Sequence, residues 1–435
     1  MDWRTVYNAK RKPAKEAVKA IKSGDRVLLA HAAGEPLALV DAMVEMADEI
    51  GYEDVEIVQM VAMGHSLYTK PEMRKHFRLN SLFLGAASRE CINSARGDFT
   101  PCFFYQAPEL FRTTLPVDVA LIQVSVPDKN GFCSFGVSCD YTKPAAEAAK
   151  LVIAQVNPNM PRTLGECFIH INDIDIITES DAPIPELGLS KIGDVEMAIG
   201  KNCASLINDG DTLQLGIGAI PDAVLTFLGD KKDLGIHSEM VSDGVVDLYE
   251  KGVITCKAKN FNPGKMVIAF LMGTRRLYDF INDNPVISMM PVDYVNHPMI
   301  IGQNDNLVSV NSAVQVDLQG QVCSEAMGLK QFSGIGGQVD FIRGAALSKG
   351  GRSILAFPAT AKGKTVSKIV PFLTEGSCVT TSRTDVDYVV TEFGIAKLKG
   401  KTLRERAREL IKVAAPQFWE ELAKTFEERF HEAYE

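Results

Sequence analysis

The sequence predicts an α/β protein of two related open α/β domains with mainly parallel sheets. Three observations lead there. At 435 residues the chain is too long for one ordinary core. Apolar β-like runs alternate with helical stretches through both halves. A local grammar also occurs twice. Ser23-Gly-Asp-Arg-Val-Leu-Leu-Ala-His is followed by Gly34-Glu-Pro-Leu-Ala-Leu-Val, and Asp209-Gly-Asp-Thr-Leu-Gln-Leu-Gly-Ile-Gly by Ala219-Ile-Pro-Asp-Ala-Val-Leu.

In both copies a Gly-Asp turn leads into an apolar strand, a turn and a helix opened by a proline. Pro36 and Pro221 suit a first helical turn, where the missing N–H costs nothing. From Asp25 to Asp211 the offset is 186 positions. A second echo pairs Asp128-Lys-Asn-Gly131-Phe-Cys-Ser134 with Asp317-Leu-Gln-Gly320-Gln-Val-Cys-Ser324, and from 128 to 317 the offset is 189. Two matches at nearly one offset mark a duplicated unit. The boundary falls in the proline-bearing stretch 180–188, which gives domains 1–184 and 185–435.

The elements follow in order. Residues 36–50 read as a helix and 55–61 as a strand, Val-Glu-Ile-Val-Gln-Met-Val. Residues 117–126 read as a strand, 143–151 as a helix and 175–178 as a strand. In the second half, 307–316 reads as a strand, and a charged amphipathic helix runs from Thr402 to the C-terminus. Ligands of such sheets sit beyond the carboxyl ends of the strands. In a two-domain version the interdomain crevice is the expected active site.

Composition narrows the function. Apolar residues make up 46% and charged residues 23%, as in ordinary soluble chains. A net charge of −9 argues against nucleic-acid binding. It leaves room for an anionic ligand, which needs only local positive charge and free N–H groups. No run of ~18 apolar residues suggests a membrane span. The nine cysteines form no C-x-x-C pair, so no zinc site is expected. With no signal peptide in the opening residues, they read as reduced, buried thiols of a cytoplasmic protein.

Three segments carry the candidate chemistry. Gln214-Leu-Gly216-Ile217-Gly218-Ala219-Ile220-Pro221-Asp222 is a strand, a glycine turn and a helix start. Glycine lets backbone N–H groups approach a ligand, and the helix N-terminus adds partial positive charge. The turn suits a phosphate, pantetheine or thioester carbonyl, and equally a tight βα turn with no ligand. It is neither a Rossmann fingerprint, since proline stands at 221, nor a Walker A loop. Phe332-Ser-Gly334-Ile-Gly336-Gly337-Gln-Val-Asp340-Phe is denser in glycine, and such a nest of N–H groups binds an oxyanion.

The third segment, Ile236-His-Ser-Glu239-Met-Val-Ser-Asp-Gly, places a glutamate 21 positions after Gly218. A carboxylate at a strand end near exposed N–H groups can act as a nucleophile on an acyl group. Standing alone, Glu239 reads as a solvated loop residue, and the surrounding motifs argue otherwise. His237 would share a strand face with it. His31 and Glu35 occupy the first half's counterpart of the glycine turn, although a surface histidine is the plainer reading of His31. Arg343 and Lys368 read as solvated surface charges. Met63, His65 and Met266 are candidates for an acyl pocket, with plain core or surface as their alternative. No G-x-S-x-G elbow is present, so a serine triad is not expected.

Taken together, Gly216-Ile-Gly-Ala-Ile-Pro-Asp, His237-Ser-Glu239-Met-Val-Ser-Asp-Gly and Gly334-Ile-Gly-Gly-Gln-Val-Asp-Phe resemble the acetyl-CoA hydrolase/transferase family of family I CoA-transferases. Lys368-Ile-Val-Pro-Phe, Thr380-Thr-Ser-Arg and Tyr388-Val-Val-Thr-Glu-Phe-Gly extend the resemblance to members that exchange CoA on 4-hydroxybutyrate.

The resemblance covers essentially the whole chain. It implies two α/β domains and a ping-pong enzyme moving CoA between short-chain carboxylic acids, 4-hydroxybutyrate and acetate among them. Glu239 then matches the catalytic glutamate that becomes a glutamyl-CoA thioester. Gly216, Ile217, Gly218, Ala219 and Ile220 match the CoA-binding loop. Gly334, Gly336 and Gly337 match the second glycine segment, and Val314 a backbone contact to CoA. His31 and Gln214 fall to the substrate pocket.

Acyl-CoA and a carboxylate are then the partners, with CoA as substrate, no permanently bound cofactor and no metal. A homodimer is the base-rate expectation. The rival readings are an acyl-CoA hydrolase or a butyryl- or propionyl-CoA:acetate transferase on the same scaffold, a nicotinamide-dependent oxidoreductase, and a non-catalytic CoA sensor.

Overall fold

The Gly-Asp turns build the same knot twice. The Asp25 carboxylate accepts the N–H of Lys22 at 2.8 Å, and that of Asp211 accepts the N–H of Asn208 at 2.7 Å. Each turn releases the chain into a buried strand: Arg26–Leu29, here β1, and Thr212–Leu215. The second echo is equally literal. Asp128 Oδ1 accepts the N–H groups of Asn130 and Phe132, and Asp317 Oδ1 those of Gln319 and Gln321. In both, the glycine N–H closes the turn on the aspartate carbonyl, at 3.0 Å for Gly131 and 2.8 Å for Gly320.

The computed structural model describes residues 2–434. They fold into two units, 2–188 with 267–295, and 189–266 with 296–434. The first is built on seven strands: β1, β2 (Val55–Gln59), β3 (Phe77–Ser81), β4 (Gly97–Phe99), β5 (Val119–Val124), β6 (Leu151–Val156) and β7 (Ile176–Glu179). Their order is β4-β3-β2-β1-β5-β6-β7, and every pairing is parallel. Helices α1 (Leu37–Glu45) and α2 (Thr142–Ala148) belong to this unit. Its core gathers Val27, Leu29, Leu39, Met43, Ile57 and Leu121.

The second unit holds β8 (Thr212–Leu215), β9 (Gly235–Ile236), β10 (Leu307–Asn311), β11 (Arg352–Ala356), β12 (Tyr388–Thr391) and β13 (Gly394–Lys397). The order is β9-β8-β10-β11-β12-β13, parallel except for the last antiparallel pair. Its helices include α3 (Ala219–Thr226), α4 (Asp243–Glu250), α5 (Gln338–Leu347), α6 (Leu403–Lys412) and α7 (Trp419–Phe430). Val316, Ile342, Leu355, Phe357, Val389, Leu410 and Phe426 share its core. The run β2-β1-β5-β6-β7 has the same parallel connectivity as β9-β8-β10-β11-β12. The duplication read from the sequence is therefore a duplication of sheet topology.

Several expectations need adjustment. The sequence predicts a continuous second domain, but residues 267–295 belong to the first unit. The Ala269 carbonyl accepts the N–H groups of Cys139 and Asp140, both at 3.1 Å, and the Leu271 N–H reaches Val137. These backbone bonds outweigh sequence order. The helix expected over 143–151 ends at Ala148, and a parallel strand that starts at Leu151 and carries β-branched Val152 and Ile153 follows instead. The C-terminal helix is two helices, separated before Pro416, which cannot continue α6. At the start of α6, Thr402 and Glu405 form a capping box. Eight of the nine cysteines are buried, and Cys378 is exposed. Among the described residues, no helix is long and apolar enough to cross a membrane.

Candidate active site

Glu239 stands in a bend just beyond β9, at the carboxyl edge of the second sheet. The bend is set from below. Gly235 and Ile236 pair with Thr212 and Leu213 of β8, and the His237 N–H reaches the Leu213 carbonyl at 3.2 Å. Lys259 buries its ammonium against two carbonyls, Ile236 and Lys265, each at 2.8 Å. Burial pushes that amine down to about 8. The buried Ser238 hydroxyl donates to the Met240 carbonyl at 2.6 Å and accepts the Leu215 N–H at 3.4 Å. Residues 234–238 are thereby fixed and buried, while Glu239 is left half-buried. His237 packs edge-on to Phe341 rather than facing out.

The carboxylate of Glu239 meets the start of α5. Gly337 is the residue before the helix, with φ −91° and ψ 3°, a conformation open to any residue. Its importance is the missing side chain. A Cβ at 337 would land inside the contact distance of both Glu239 Oε2 and Asn296 Nδ2. The helix N-terminus favours negative charge through its unpaired N–H groups and its dipole, which suits the seated carboxylate.

Asn296 completes the arrangement. It is fully buried, and its Nδ2 donates to Glu239 Oε2 at 2.8 Å and to Asp340 Oδ2 at 3.2 Å. Asp340, in the first turn of α5, is itself buried. No sequence motif marks Asn296, which lies 57 positions from Glu239. Only the fold brings it there. Asp340 is visible in the glycine-rich motif, but its tie to Asn296 is not.

The other expected residues fall as follows. Gly216 and Ile217 form the turn after β8, Gly218 precedes α3, and Ala219 and Ile220 open that helix. Gly218 has φ +111°, a conformation that disfavours any side chain. Pro221 is the third helical residue, still within the first turn. Gln214 is buried and pairs its amide with Asn311 on the neighbouring strand, at 3.0 and 3.4 Å. Val314 lies in a bend after β10, and its N–H is taken by the Cys323 carbonyl at 2.8 Å. Gly334 and Gly336 are buried in the loop that ends at Gly337.

His31 belongs to the first unit and is not a surface residue. It is 2% exposed, and its Nδ1 lies 2.8 Å from Asp140 Oδ2 among Phe104, Tyr141 and Phe270. Lys368, expected in solvent, is partly buried with its amine 5.0 Å over the Phe357 ring. Burial pushes it down to about 8. Arg343 is exposed beside Asp385 at 3.3 Å, as a solvated charge would be. Of the acyl-pocket candidates, Met266 is fully buried, His65 is exposed near Asp41, and Met63 is half-buried. Among the described residues, no group of three or more His, Cys, Asp or Glu is placed to hold a metal ion.

Second-unit residues from three separate stretches, 236–239, Asn296 and 337–340, therefore converge on one carboxylate: half-accessible, set in a glycine-made gap and held by an amide donor. Comparison with known proteins gives this geometry a family. Residues 1–187 match the acetyl-CoA hydrolase/transferase N-terminal domain, and 273–426 match the C-terminal domain. A 4-hydroxybutyrate coenzyme A transferase of Clostridium kluyveri is 63% identical over 99% of this chain and 100% of its own. A succinyl-CoA:cyclohexane-1-carboxylate CoA transferase of Geobacter metallireducens is 45% identical over 96% of this chain and 97% of its own. The crystal structure of 4-hydroxybutyrate CoA-transferase from Porphyromonas gingivalis superposes with a TM-score of 0.86 at 46% identity, covering 99% of this chain and 100% of that one. The chain belongs to the acetyl-CoA hydrolase/transferase family and is a CoA-transferase within it.

Proposed function

We propose that this CoA-transferase moves CoA between short-chain carboxylic acids, 4-hydroxybutyrate and acetate, through a glutamyl-CoA thioester on Glu239. The observation that carries the reading is the seat of Glu239: half-accessible, beside the side-chain-free Gly337 at a helix start, and bonded to Asn296. The choice of 4-hydroxybutyrate is supported by the C. kluyveri 4-hydroxybutyrate coenzyme A transferase, and that of acetate by a butyryl-CoA:acetate CoA-transferase of Anaerostipes caccae, 39% identical over 98% of this chain.

The chemistry follows from that seat. A Glu239 oxygen attacks the acyl-CoA carbonyl, the C–S bond breaks, and a mixed anhydride and CoA thiolate result. The thiolate attacks the glutamyl carbonyl, the anhydride C–O bond breaks, and the free acid leaves. Glu239 now carries CoA. An incoming carboxylate reverses both steps. The Asn296 Nδ2–H and the first N–H groups of α5 are donors for the oxyanions, and ~3 kcal/mol is typical for one such donor. One thioester is exchanged for another, so the overall step is close to balanced without an energy source. Gly216–Ile220, Gly334, Gly336 and Val314 are assigned to CoA, and His31 and Gln214 to the substrate pocket, on the family resemblance. For Val314, whose N–H is taken by the Cys323 carbonyl, such a contact would fall to its own carbonyl.

A cytoplasmic homodimer belongs to the same proposal, on base rates. A panel of acyl-CoA donors against 4-hydroxybutyrate, butyrate, propionate and acetate tests the reading. Parallel lines in a two-substrate kinetic plot and highest kcat/KM for the 4-hydroxybutyrate and acetate pair are expected. CoA release that is indifferent to acetate would favour hydrolysis instead.

A further inference from the structure

We infer that Asp340 is a positioning residue: it fixes the Asn296 amide so that the Nδ2–H faces Glu239 throughout the reaction cycle. The inference rests on the reading of Glu239 as the covalent carrier.

A primary amide has two ends of similar size and opposite character. Nδ2 donates and Oδ1 accepts. Something must decide which end faces the reacting group. Asn296 Oδ1 has no hydrogen-bond partner, so nothing at that end holds the amide. The two carboxylates at the other end do, Glu239 Oε2 at 2.8 Å and Asp340 Oδ2 at 3.2 Å. A flipped amide would set its oxygen against both. In the resting enzyme either carboxylate suffices.

The cycle removes one of them. As an anhydride or thioester, Glu239 has lost its charge and accepts more weakly. At that stage its pull on the amide is smallest, while the need for a donor is greatest, because each tetrahedral oxyanion forms beside it. A flipped Asn296 would then present a lone pair to developing negative charge. Asp340 is not consumed. It accepts from Nδ2 at every step, and its place in the first turn of α5 ties it to the helix whose Gly337 makes room for Glu239. With Asn296 and Asp340 0% and 1% exposed, water does not screen this preference.

Asp340→Asn keeps the shape but offers either an acceptor or a donor, so it no longer selects the orientation. The expected result is a fall in kcat of about 10- to 100-fold, less than for loss of the donor itself. KM for acyl-CoA and the melting temperature should be little changed. The distinguishing readout is a double variant. In the Asn296→Ala background, Asp340→Asn should cost less than twofold, since no amide is left to orient. Asp340→Ser is read in the same way should the asparagine variant fold poorly.

Wild-type kcat in either variant, or an undiminished loss in the Asn296→Ala background, overturns the inference. The mass of wild-type protein after acyl-CoA treatment separates this from failure of the underlying reading. Without a CoA adduct on Glu239 the carrier itself is wrong. With the adduct present and the variants normal, only the role of Asp340 is wrong.

Discussion

The two halves share their turns and sheet order but treat their carboxylates in opposite ways. In the first unit, Glu35 follows β1 and is wholly enclosed. Its Oε2 accepts the N–H groups of Met63 and Gly64 at 2.8 and 2.7 Å, and Oε1 has no partner. Burial raises it to about 7. In the second unit, Glu239 follows β9 half-accessible, at a helix start, with an amide donor and a glycine gap. One scaffold thus makes a wholly enclosed structural carboxyl and a half-accessible one, to which the proposed mechanism gives the role of nucleophile. The difference lies in access and in the charge each site favours. Glu35 holds a loop, and its surroundings favour the neutral form. The seat of Glu239 supplies donors for negative charge.

The contrast can be broken most severely at Glu239. Glu239→Gln keeps the shape and the Asn296 contact but removes the nucleophile. CoA transfer should fall by about 10,000-fold or more. Near-normal steady-state turnover would end the comparison. Gly337→Ala should follow, with a loss of about 100-fold, because the added methyl displaces Glu239 from a geometry in which an ångström matters. Since φ at 337 suits alanine, the protein should fold normally, and thermal melting checks that.

The mildest effect is expected at Glu35, in stability. Its folded pKa lies above the ordinary value of 4.5, so the folded state holds the proton more tightly. The resulting stability is fully present below pH ~4.5 and is lost as pH rises through about 7. At ~1.4 kcal/mol per pK unit, the change is at most about 3.5 kcal/mol. Glu35→Gln should flatten the fall in melting temperature between pH 5 and 8. An unchanged slope would remove Glu35 as its source.

Much of this molecule is legible in its sequence. The turns at Asp25 and Asp211, and at Asp128 and Asp317, reveal the duplication because each depends on local side-chain-to-backbone bonds. Glu239 and Gly337 stand out through their motifs. What stays hidden depends on tertiary distance. Asn296 has no local signature and gains meaning only from the fold. The allegiance of residues 267–295 to the first unit is set by backbone bonds to Val137, Cys139 and Asp140. Burial of His31 and Lys368 runs against their polarity, and the occupied N–H of Val314 depends on a partner nine residues on.

The central claim is that Glu239 carries CoA rather than the acyl group. Treating the enzyme with acyl-CoA in the absence of an acceptor, digesting it and weighing the peptides tests this most directly. The peptide containing Glu239 should gain CoA with loss of water, and adding acetate should discharge it. Steady turnover with that peptide unmodified at every time point would contradict the account.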